Sequence, residues 1–357
     1  MEEVYRVLAK KLDDMPNGYP ATESGVELKI LEKIFTPEEA EFWLKLKLIP
    51  ETAEAIAERL GAPLGEVQSK LDNMAVKGQI GTTKLFNNQV YLQMPFVIGI
   101  FEFQLNRIDK ELADLVEEYA PKLMSHLGGF APSLTRVVPV NAAIDAEHQV
   151  HRYEDVKLML EKAKSFQLQD CICKKEAALQ GHPCKHSVEV CLGLSIQEDG
   201  FEKYSQGRII SREEAMQVMA KAEEEGLVHT TYNVKSGHMY VCNCCSCCCG
   251  ILRGIKYFNA PYLMAKSNFV AQIDRDECAA CGVCADERCP MKAIVEEDGS
   301  YKVLPERCIG CGVCAKTCPT GAIGLTAKLE AERDEPPANL MEWAGKRAEA
   351  RGIKIIV

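Results

Sequence analysis

The residues best suited to chemistry in this sequence are its cysteines. All 18 cysteines of the 357-residue chain fall between Cys171 and Cys318, in C-x-C, C-C and C-x-x-C groups. Disulfide scaffolds of this density are usually short, secreted proteins, whereas this chain is long and shows no charged segment leading into an apolar export signal. Reduced thiols that bind metal are therefore the better interpretation, and they predict a cytoplasmic location.

The strongest motif is a pair of similar cysteine runs near the end of the chain. The two runs are Cys278-x2-Cys281-x2-Cys284-x4-Cys289-Pro290 and Cys308-x2-Cys311-x2-Cys314-x3-Cys318-Pro319. Three thiolates spaced by two residues lie around a tight loop, so they can take three corners of one cubane iron–sulfur cluster. Gly282 and Gly312 would let backbone amides approach the cluster sulfides, where such amides tune the reduction potential.

This pair of runs resembles the bacterial two-cluster ferredoxin domain over about residues 270–326. The second run matches the family pattern fully, whereas the first has one additional residue before its last cysteine, which need only bulge the loop. The resemblance implies two [4Fe-4S] clusters whose fourth ligands cross over between the runs. The implied ligand sets are Cys278, Cys281, Cys284 and Cys318 for one cluster, and Cys308, Cys311, Cys314 and Cys289 for the other.

Ten further cysteines lie upstream in two groups. The groups are Cys171, Cys173, Cys184 and Cys191, and then Cys242, Cys244, Cys245, Cys247, Cys248 and Cys249. Residues i and i+2 of an extended segment share a face, so each C-x-C pair can reach one metal centre, but three adjacent cysteines cannot all point at the same cubane. The simplest count is two further cubanes with two thiols left over. Ligands could equally come from both groups, or build a non-cubane cluster.

Zinc is the alternative metal for these upstream cysteines. Tetrahedral zinc sites prefer C-x2-4-C pairs, and His182 and His186 flank Cys184. We favour one or two additional iron–sulfur clusters, because a cluster pair is predicted downstream, and we expect the two histidines to donate to sulfur rather than bind metal. The whole cysteine-rich stretch resembles uncharacterised ferredoxin-type proteins of anaerobes, which implies an anaerobic source.

The N-terminal region is predicted from its apolar periodicity. Residues 1–15 form an amphipathic helix, and residues 27–93 read as three helices and a hairpin, with Thr52 and Gly61 bounding one helix. Thr52 to Ile80 resembles a winged helix, which implies DNA binding. The candidate recognition helix, Leu64–Gly78, has no net charge, although phosphate contacts normally need positive charge. We therefore expect a docking or structural module instead.

The remaining segments are predicted to frame the cysteines. Helices are expected over Phe101–Tyr119, Tyr153–Phe166 and residues 211–226, and a strand over Arg136–Ile144. Ser211 and Glu214 form a candidate capping box for the last of these helices. His148 and His151 are expected to be surface residues, and the charged tail is expected to wrap another surface or a partner.

These expectations give an α+β multidomain protein. Its predicted parts are an N-terminal helix (1–26), a winged helix-like domain (27–93), a mixed α/β cysteine-rich domain (94–270), a dicluster ferredoxin-like domain (271–326) and a C-terminal tail (327–357).

Composition and missing motifs exclude several functions. The formal charge of −10 argues against indiscriminate nucleic-acid binding, and the longest apolar run, Met94–Phe101, is far short of the about twenty residues that span a membrane. The sequence contains neither a strand-linked dinucleotide fingerprint nor a Walker A loop. Asp145 and Glu176 lack a partner motif, so we expect them to be solvated surface charges.

We therefore predict a multi-cluster electron-transfer protein, a subunit that relays electrons to or from a partner oxidoreductase carrying flavin or another cofactor. One alternative is an enzyme that uses a special upstream cluster to reduce a disulfide, although the cysteine spacings match heterodisulfide reductases poorly. The other alternative is a redox-sensing regulator in which the cluster controls the winged helix. The neutral recognition helix argues against that regulator.

Overall fold

The structure is a computed structural model that describes residues 3–85, 87–140, 143–144, 150–258 and 260–354. Its α-helices are α1 (Glu3–Asp13), α2 (Val26–Ile34), α3 (Pro37–Trp43), α4 (Ala53–Leu60), α5 (Leu64–Val76), α6 (Lys110–Leu127), α7 (Val156–Lys162), α8 (Ile172–Leu179), α9 (Arg212–Glu224), α10 (Gly250–Tyr257) and α11 (Leu340–Ala350). Its strands are β1 (Gly81–Leu85), β2 (Asn88–Leu92), β3 (Thr135–Val138), β4 (Ser165–Asp170), β5 (Glu189–Ser195), β6 (Arg208–Ile210), β7 (Val228–Tyr232), β8 (Tyr240–Cys244), β9 (Met264–Ala265), β10 (Phe269–Ile273), β11 (Ile294–Glu297), β12 (Ser300–Val303) and β13 (Ile323–Ala327). Among these residues, no helix has both the length and the apolar character needed to cross a membrane.

The N-terminal region forms the largest apolar core of the molecule. The amphipathic helix predicted for residues 1–15 is present as α1, which buries Leu8 and Leu12. Four helices, not the predicted three, precede the hairpin of β1 and β2. The sequence contained the missing signal, because Thr36 and Glu39 form a reciprocal capping box that starts a separate α3. As predicted, Thr52 caps α4, which ends at Gly61 in a left-handed conformation.

Two predicted helices have wrong boundaries. The helix predicted over Phe101–Tyr119 begins only at α6, because the Asp109 side chain accepts a hydrogen bond from the Leu112 amide and caps the helix there. The helix predicted over Tyr153–Phe166 ends at Lys162, and the chain continues into β4, whose side chains are buried by the central sheet. In both cases burial against neighbouring elements overrides the local helical pattern.

A seven-stranded sheet occupies the centre of the chain, in the order β6-β4-β5-β8-β7-β3-β9. β5 pairs antiparallel with β4 on one side and with β8 on the other, so Leu192 lies opposite Val241. α9 packs against β4 and β5 and begins at Ser211, whose hydroxyl accepts from the Glu214 amide as predicted. The Glu214 carboxylate instead pairs with Arg208, which corrects the predicted reciprocal box. This sheet order places the cysteines of β5 and β8 on adjacent strands.

The last cysteine-rich stretch folds around two small antiparallel pairs, β10 with β13 and β11 with β12. β10 begins at Phe269 and therefore spans the predicted domain boundary at residue 271. The predicted strand Arg136–Ile144 is shorter than expected, since β3 ends at Val138. Beyond that strand, the Val140 amide donates to the Cys311 carbonyl. This backbone hydrogen bond joins the segment that follows β3 of the central sheet to the second cysteine run.

The C-terminal tail packs on the chain's own N-terminal half. The Trp343 indole donates to the Ser133 carbonyl at 2.8 Å, and the fully buried Arg347 guanidinium donates to the carbonyls of Pro16, Phe130 and Pro132. A buried guanidinium needs several acceptors, and two separate loops supply them. The tail therefore binds the N-terminal half of the same chain.

Candidate metal centres

Four cysteines from both runs surround a cavity of about 370 Å³. The sulfur-bearing residues that line it are Cys278, Cys281, Cys284 and Cys318. The side chain of Cys281 is exposed, and the other three are partly buried. Three of the lining cysteines come from one loop and the fourth from the end of the other run, which is the crossed grouping that the ferredoxin resemblance implies.

The second cavity has a volume of about 340 Å³ and a deeper position. The cysteines that line it are Cys289, Cys308, Cys311 and Cys314. All but Cys289 are buried, and burial raises the pKa of Cys311 to about 12. Such a thiol is protonated at neutral pH unless a metal replaces the proton, because metal ligands bind as thiolates.

The loops hold these cysteines through unusual backbone conformations. Gly282 and Gly312 both have positive φ, and a Cβ at Gly312 would lie 2.9 Å from the Ala143 Cβ. The additional residue of the first run is absorbed by a π-turn over Cys284–Arg288, whereas the second run has a tighter 3₁₀ turn over Ala315–Thr317. The predicted bulge therefore takes the form of a wider turn.

Backbone and hydroxyl groups also approach the sulfur atoms. The Ala293 amide donates to the Cys289 sulfur at 3.1 Å, and the Thr320 hydroxyl lies 3.6 Å from the Cys318 sulfur. Hydrogen bonds to cluster ligands raise the reduction potential, because they stabilise the more negative reduced state. Each cavity thus has four thiol ligands and polar donors suited to a [4Fe-4S] cluster.

The ten upstream cysteines separate into two groups that do not follow their order in the sequence. The sulfur atoms of the first group all lie within 4.8 Å of one another, and its members are Cys184, Cys245, Cys247 and Cys248. Neither His182 nor His186 belongs to this group. His186 Nδ1 lies 3.9 Å from the Glu225 carboxylate instead. We refer to this group as the four-cysteine cluster.

Hydrogen-bonding interactions between neighbouring thiols link the other six upstream cysteines in a closed series. In the order of contact they are Cys171, Cys173, Cys249, Cys244, Cys242 and Cys191, which returns to Cys171. We refer to this group as the six-cysteine ring. Because β4, β5 and β8 are neighbouring strands, the end of β4, the start of β5 and the end of β8 deliver these residues to one place.

Lys174 lies between the two upstream groups. Its side chain is 1 % exposed and donates to the Ser187 carbonyl at 2.6 Å. Its charge acts on Cys171 and Cys191 of the ring and on Cys245 of the four-cysteine cluster. A buried ammonium group between two sets of thiols compensates negative charge that metal–thiolate centres carry.

Two carboxyl groups near the ring, one buried and one half-buried, were not predicted. Glu176 is buried rather than solvated as predicted, and burial raises its pKa to about 8, with the nearby Glu117 adding to the shift. Burial likewise raises the pKa of Glu102 to about 7. The sequence carried a signal for Glu102, since it is the lone charged residue in the apolar run Phe96–Leu105. Asp145 and His148 lie outside the described residues, and His151 is exposed as expected.

Comparisons with known proteins support an iron–sulfur, ferredoxin-type segment in this chain. A family model for the 4Fe-4S binding domain matches residues 301–324. A ferredoxin of Methanocaldococcus jannaschii is 36% identical over 67 residues, which is 18% of this chain and 86% of that protein. A second ferredoxin of the same organism is 57% identical over 43 residues, covering 12% of this chain and 28% of that protein.

An oxidoreductase subunit is also similar. The indolepyruvate oxidoreductase subunit IorA of Methanothermobacter marburgensis is 45% identical over 53 residues, which is 15% of this chain but only 8% of that subunit. No solved structure matches the chain. The similarity to this subunit thus covers a short segment and leaves most of both chains unmatched.

Proposed function

The chain belongs to the 4Fe-4S ferredoxin family, and from that premise we propose that it relays electrons through three iron–sulfur centres to a partner oxidoreductase. The observation that carries the proposal is the grouping of eight downstream cysteines, four around each of two cavities. A [4Fe-4S] cluster in each cavity would supply one-electron transfer at low potential. The six-cysteine ring would hold the third centre.

The first cavity is the most exposed of these three proposed sites. Cys281 of the first cavity is exposed, whereas three cysteines of the second cavity are buried. Cys244 and Cys249 of the ring share one apolar core with Cys308, Cys311 and Cys314 of the second cavity. Three cysteines of the ring are buried and three are partly buried, so the exposed edge at Cys281 is the most accessible part of the three sites. A partner protein would therefore exchange electrons at the first cavity.

The similarity to an indolepyruvate oxidoreductase subunit supports a protein redox partner, and the proposed partner is a flavin- or metal-containing oxidoreductase. The winged helix-like segment would serve as a docking module, because α5 is already engaged by the central region. Asp72 of α5 accepts hydrogen bonds from Tyr204 and Gln68 and pairs with Lys203 at 3.2 Å. A cytoplasmic location and an anaerobic source are further parts of the proposal.

The experiment that tests the proposal is metal and sulfide analysis of the full chain, purified anaerobically, with EPR of the reduced protein. We expect at least eight irons from the two downstream clusters, with further iron and sulfide from the ring, so the total exceeds eight per chain. EPR should resolve a third signal, distinct from the interacting pair. An iron content of eight or fewer with two signals would contradict the third centre, and an iron-free protein would contradict the whole proposal.

A second candidate function, disulfide reduction, is favoured by the half-buried Glu102 and the buried Glu176. Reducing a disulfide to two thiols consumes two electrons and two protons, and carboxyl groups with pKa values of about 7 and 8 hold protons near neutral pH. The chemically reduced protein should then be reoxidised by a small disulfide, with two thiols released per two electrons. Reoxidation without thiol release, or none at all, would leave electron transfer as the function.

A further inference from the structure

The sulfur atoms of the four-cysteine cluster lie too close together to hold a [4Fe-4S] cluster, which is the cofactor expected elsewhere in the chain. Cys184 Sγ lies 3.6 Å from Cys245 Sγ and 3.8 Å from Cys247 Sγ, and the sulfurs of Cys247 and Cys248 are 3.7 Å apart. Four thiolates bound to one zinc ion at about 2.3 Å form a tetrahedron with edges of about 3.8 Å. The corners of a cubane carry thiolates outward from four irons, which separates the sulfurs to roughly 6 Å.

We propose that Cys184, Cys245, Cys247 and Cys248 hold a single zinc ion. The three measured separations match the edges of a tetrahedral site, and the remaining sulfur pairs also lie within 4.8 Å. The set consists of four sulfur ligands, which is the composition of structural rather than catalytic zinc sites.

The local backbone is built for such a site. Cys245 and Cys248 form a C-x2-C pair in the turn between β8 and α10, where the Cys249 amide donates to the Cys245 carbonyl at 3.1 Å. Cys184 comes from the loop between α8 and β5. The three adjacent cysteines are divided, since Cys247 and Cys248 face this site while Cys249 joins the six-cysteine ring.

Zinc at this position would have a structural role beside a redox centre. It would join two loops that adjoin strands β5 and β8. Those strands carry Cys191 and Cys244, which belong to the ring. Zinc does not change oxidation state, so the loops would keep their geometry while the ring gains or loses electrons. The net charge of −2 on a zinc–tetrathiolate site is partly balanced by the buried Lys174.

The test measures zinc and iron together in the full chain, purified anaerobically from cells supplied with both metals. We expect about one zinc per chain and a zinc-edge absorption spectrum with four sulfur neighbours at about 2.3 Å. In the Cys247→Ser variant, zinc should fall at least fivefold while iron is unchanged. The matched control, Cys281→Ser, replaces another exposed cysteine and should lower iron without lowering zinc.

Two results would overturn the assignment. One is a wild-type protein that contains almost no zinc, or whose zinc has nitrogen or oxygen neighbours. The other is a Cys247→Ser variant that loses iron and sulfide but keeps its zinc. If that variant does not fold, the wild-type spectrum decides alone, with cobalt substitution as a second measurement. Cobalt bound by four thiolates gives intense visible bands of a tetrahedral site, and their absence would contradict the proposal.

Discussion

Between Cys278 and Cys318 the sulfur atoms stand around two cavities, whereas the sulfur atoms of the upstream four-cysteine cluster contact one another directly. The downstream ligands come from two short loops, each contributing three cysteines, and each cavity is completed by a cysteine from the other loop. The upstream ligands come from the ends of neighbouring strands and from one long loop. Both regions concentrate thiols, and each of the two downstream cavities is lined by four of them.

The difference teaches that spacing between sulfurs, rather than the number of cysteines, indicates how many metal atoms a site holds. A loop with three cysteines at intervals of two wraps around a volume, because the backbone surrounds the centre. A C-x2-C turn that faces a cysteine from another segment instead brings its sulfur atoms together around a single metal ion. The chain uses both designs, and the upstream region adds the six-cysteine ring, which shares its apolar core with the downstream cysteines.

The largest expected effect tests whether the downstream ligands cross between the loops. Cys318→Ala should destroy the cluster held by Cys278, Cys281 and Cys284, with a loss of up to about four irons per chain. The reason is geometric, since Cys318 lines the cavity of those three cysteines. The measurement is EPR of the reduced protein together with iron content.

Two reference variants identify which cluster has been lost. Cys281→Ala removes a cysteine that lines the first cavity, and Cys311→Ala removes one that lines the second. The spectrum of Cys318→Ala should match that of Cys281→Ala. A match with Cys311→Ala would mean that each run binds its own cluster and that the crossing is wrong.

The next effect separates the ring from the four-cysteine cluster. Cys242→Ser should remove the third iron–sulfur centre, because Cys242 contacts Cys191 and Cys244 within the ring. Zinc and the two downstream clusters should remain. The matched variant Cys247→Ser lies only five positions away and should give the opposite result. If both variants lose the same metal, the ten upstream cysteines form one site, and the division into two groups fails.

A smaller effect concerns the charge between the two upstream groups. Lys174→Met removes a buried positive charge that acts on Cys171 and Cys191. Loss of this charge destabilises the reduced, more negative centre, so its midpoint potential should fall by on the order of 50 mV. Lys175→Met is the control, because Lys175 pairs with Asp170 at the surface. Equal shifts in both variants, measured by redox titration, would exclude a specific role for Lys174.

The downstream region could be predicted from sequence because its information is local. Each loop carries three ligands within seven residues, with glycines at the positions that require positive φ. Even the additional residue before Cys289 was expected to change only the loop, and it produces a π-turn. The ferredoxin resemblance supplied the crossed ligand sets, which still await the test with Cys318→Ala.

The upstream region could not be predicted in the same way, because its grouping depends on strand order. Cys191 reaches Cys242 only because β5 and β8 are neighbours, although helix α9 and two other strands separate them in sequence. The burial of Glu176 has the same origin, since no periodic pattern marks a carboxyl group that tertiary packing encloses. The sequence therefore indicated metal binding here, but not how many sites or which ligands.

The smallest expected effect concerns the N-terminal region, which contains no cysteine and is expected to function without metal. Asp72→Ala should lower the free energy of unfolding by about 0.5–1.5 kcal/mol, because Tyr204 and Gln68 lose a partly exposed charged acceptor. Glu66→Ala, an exposed control on the same helix, should change it by less than about 0.5 kcal/mol. Neither substitution should alter iron content.

Docking of α5 on the central region also predicts that the full chain has no salt-sensitive affinity for duplex DNA, because helix α5 offers little positive charge for phosphates. Sub-micromolar binding that weakens with salt would instead favour a redox-sensing regulator, with α5 released from Tyr204 when it binds.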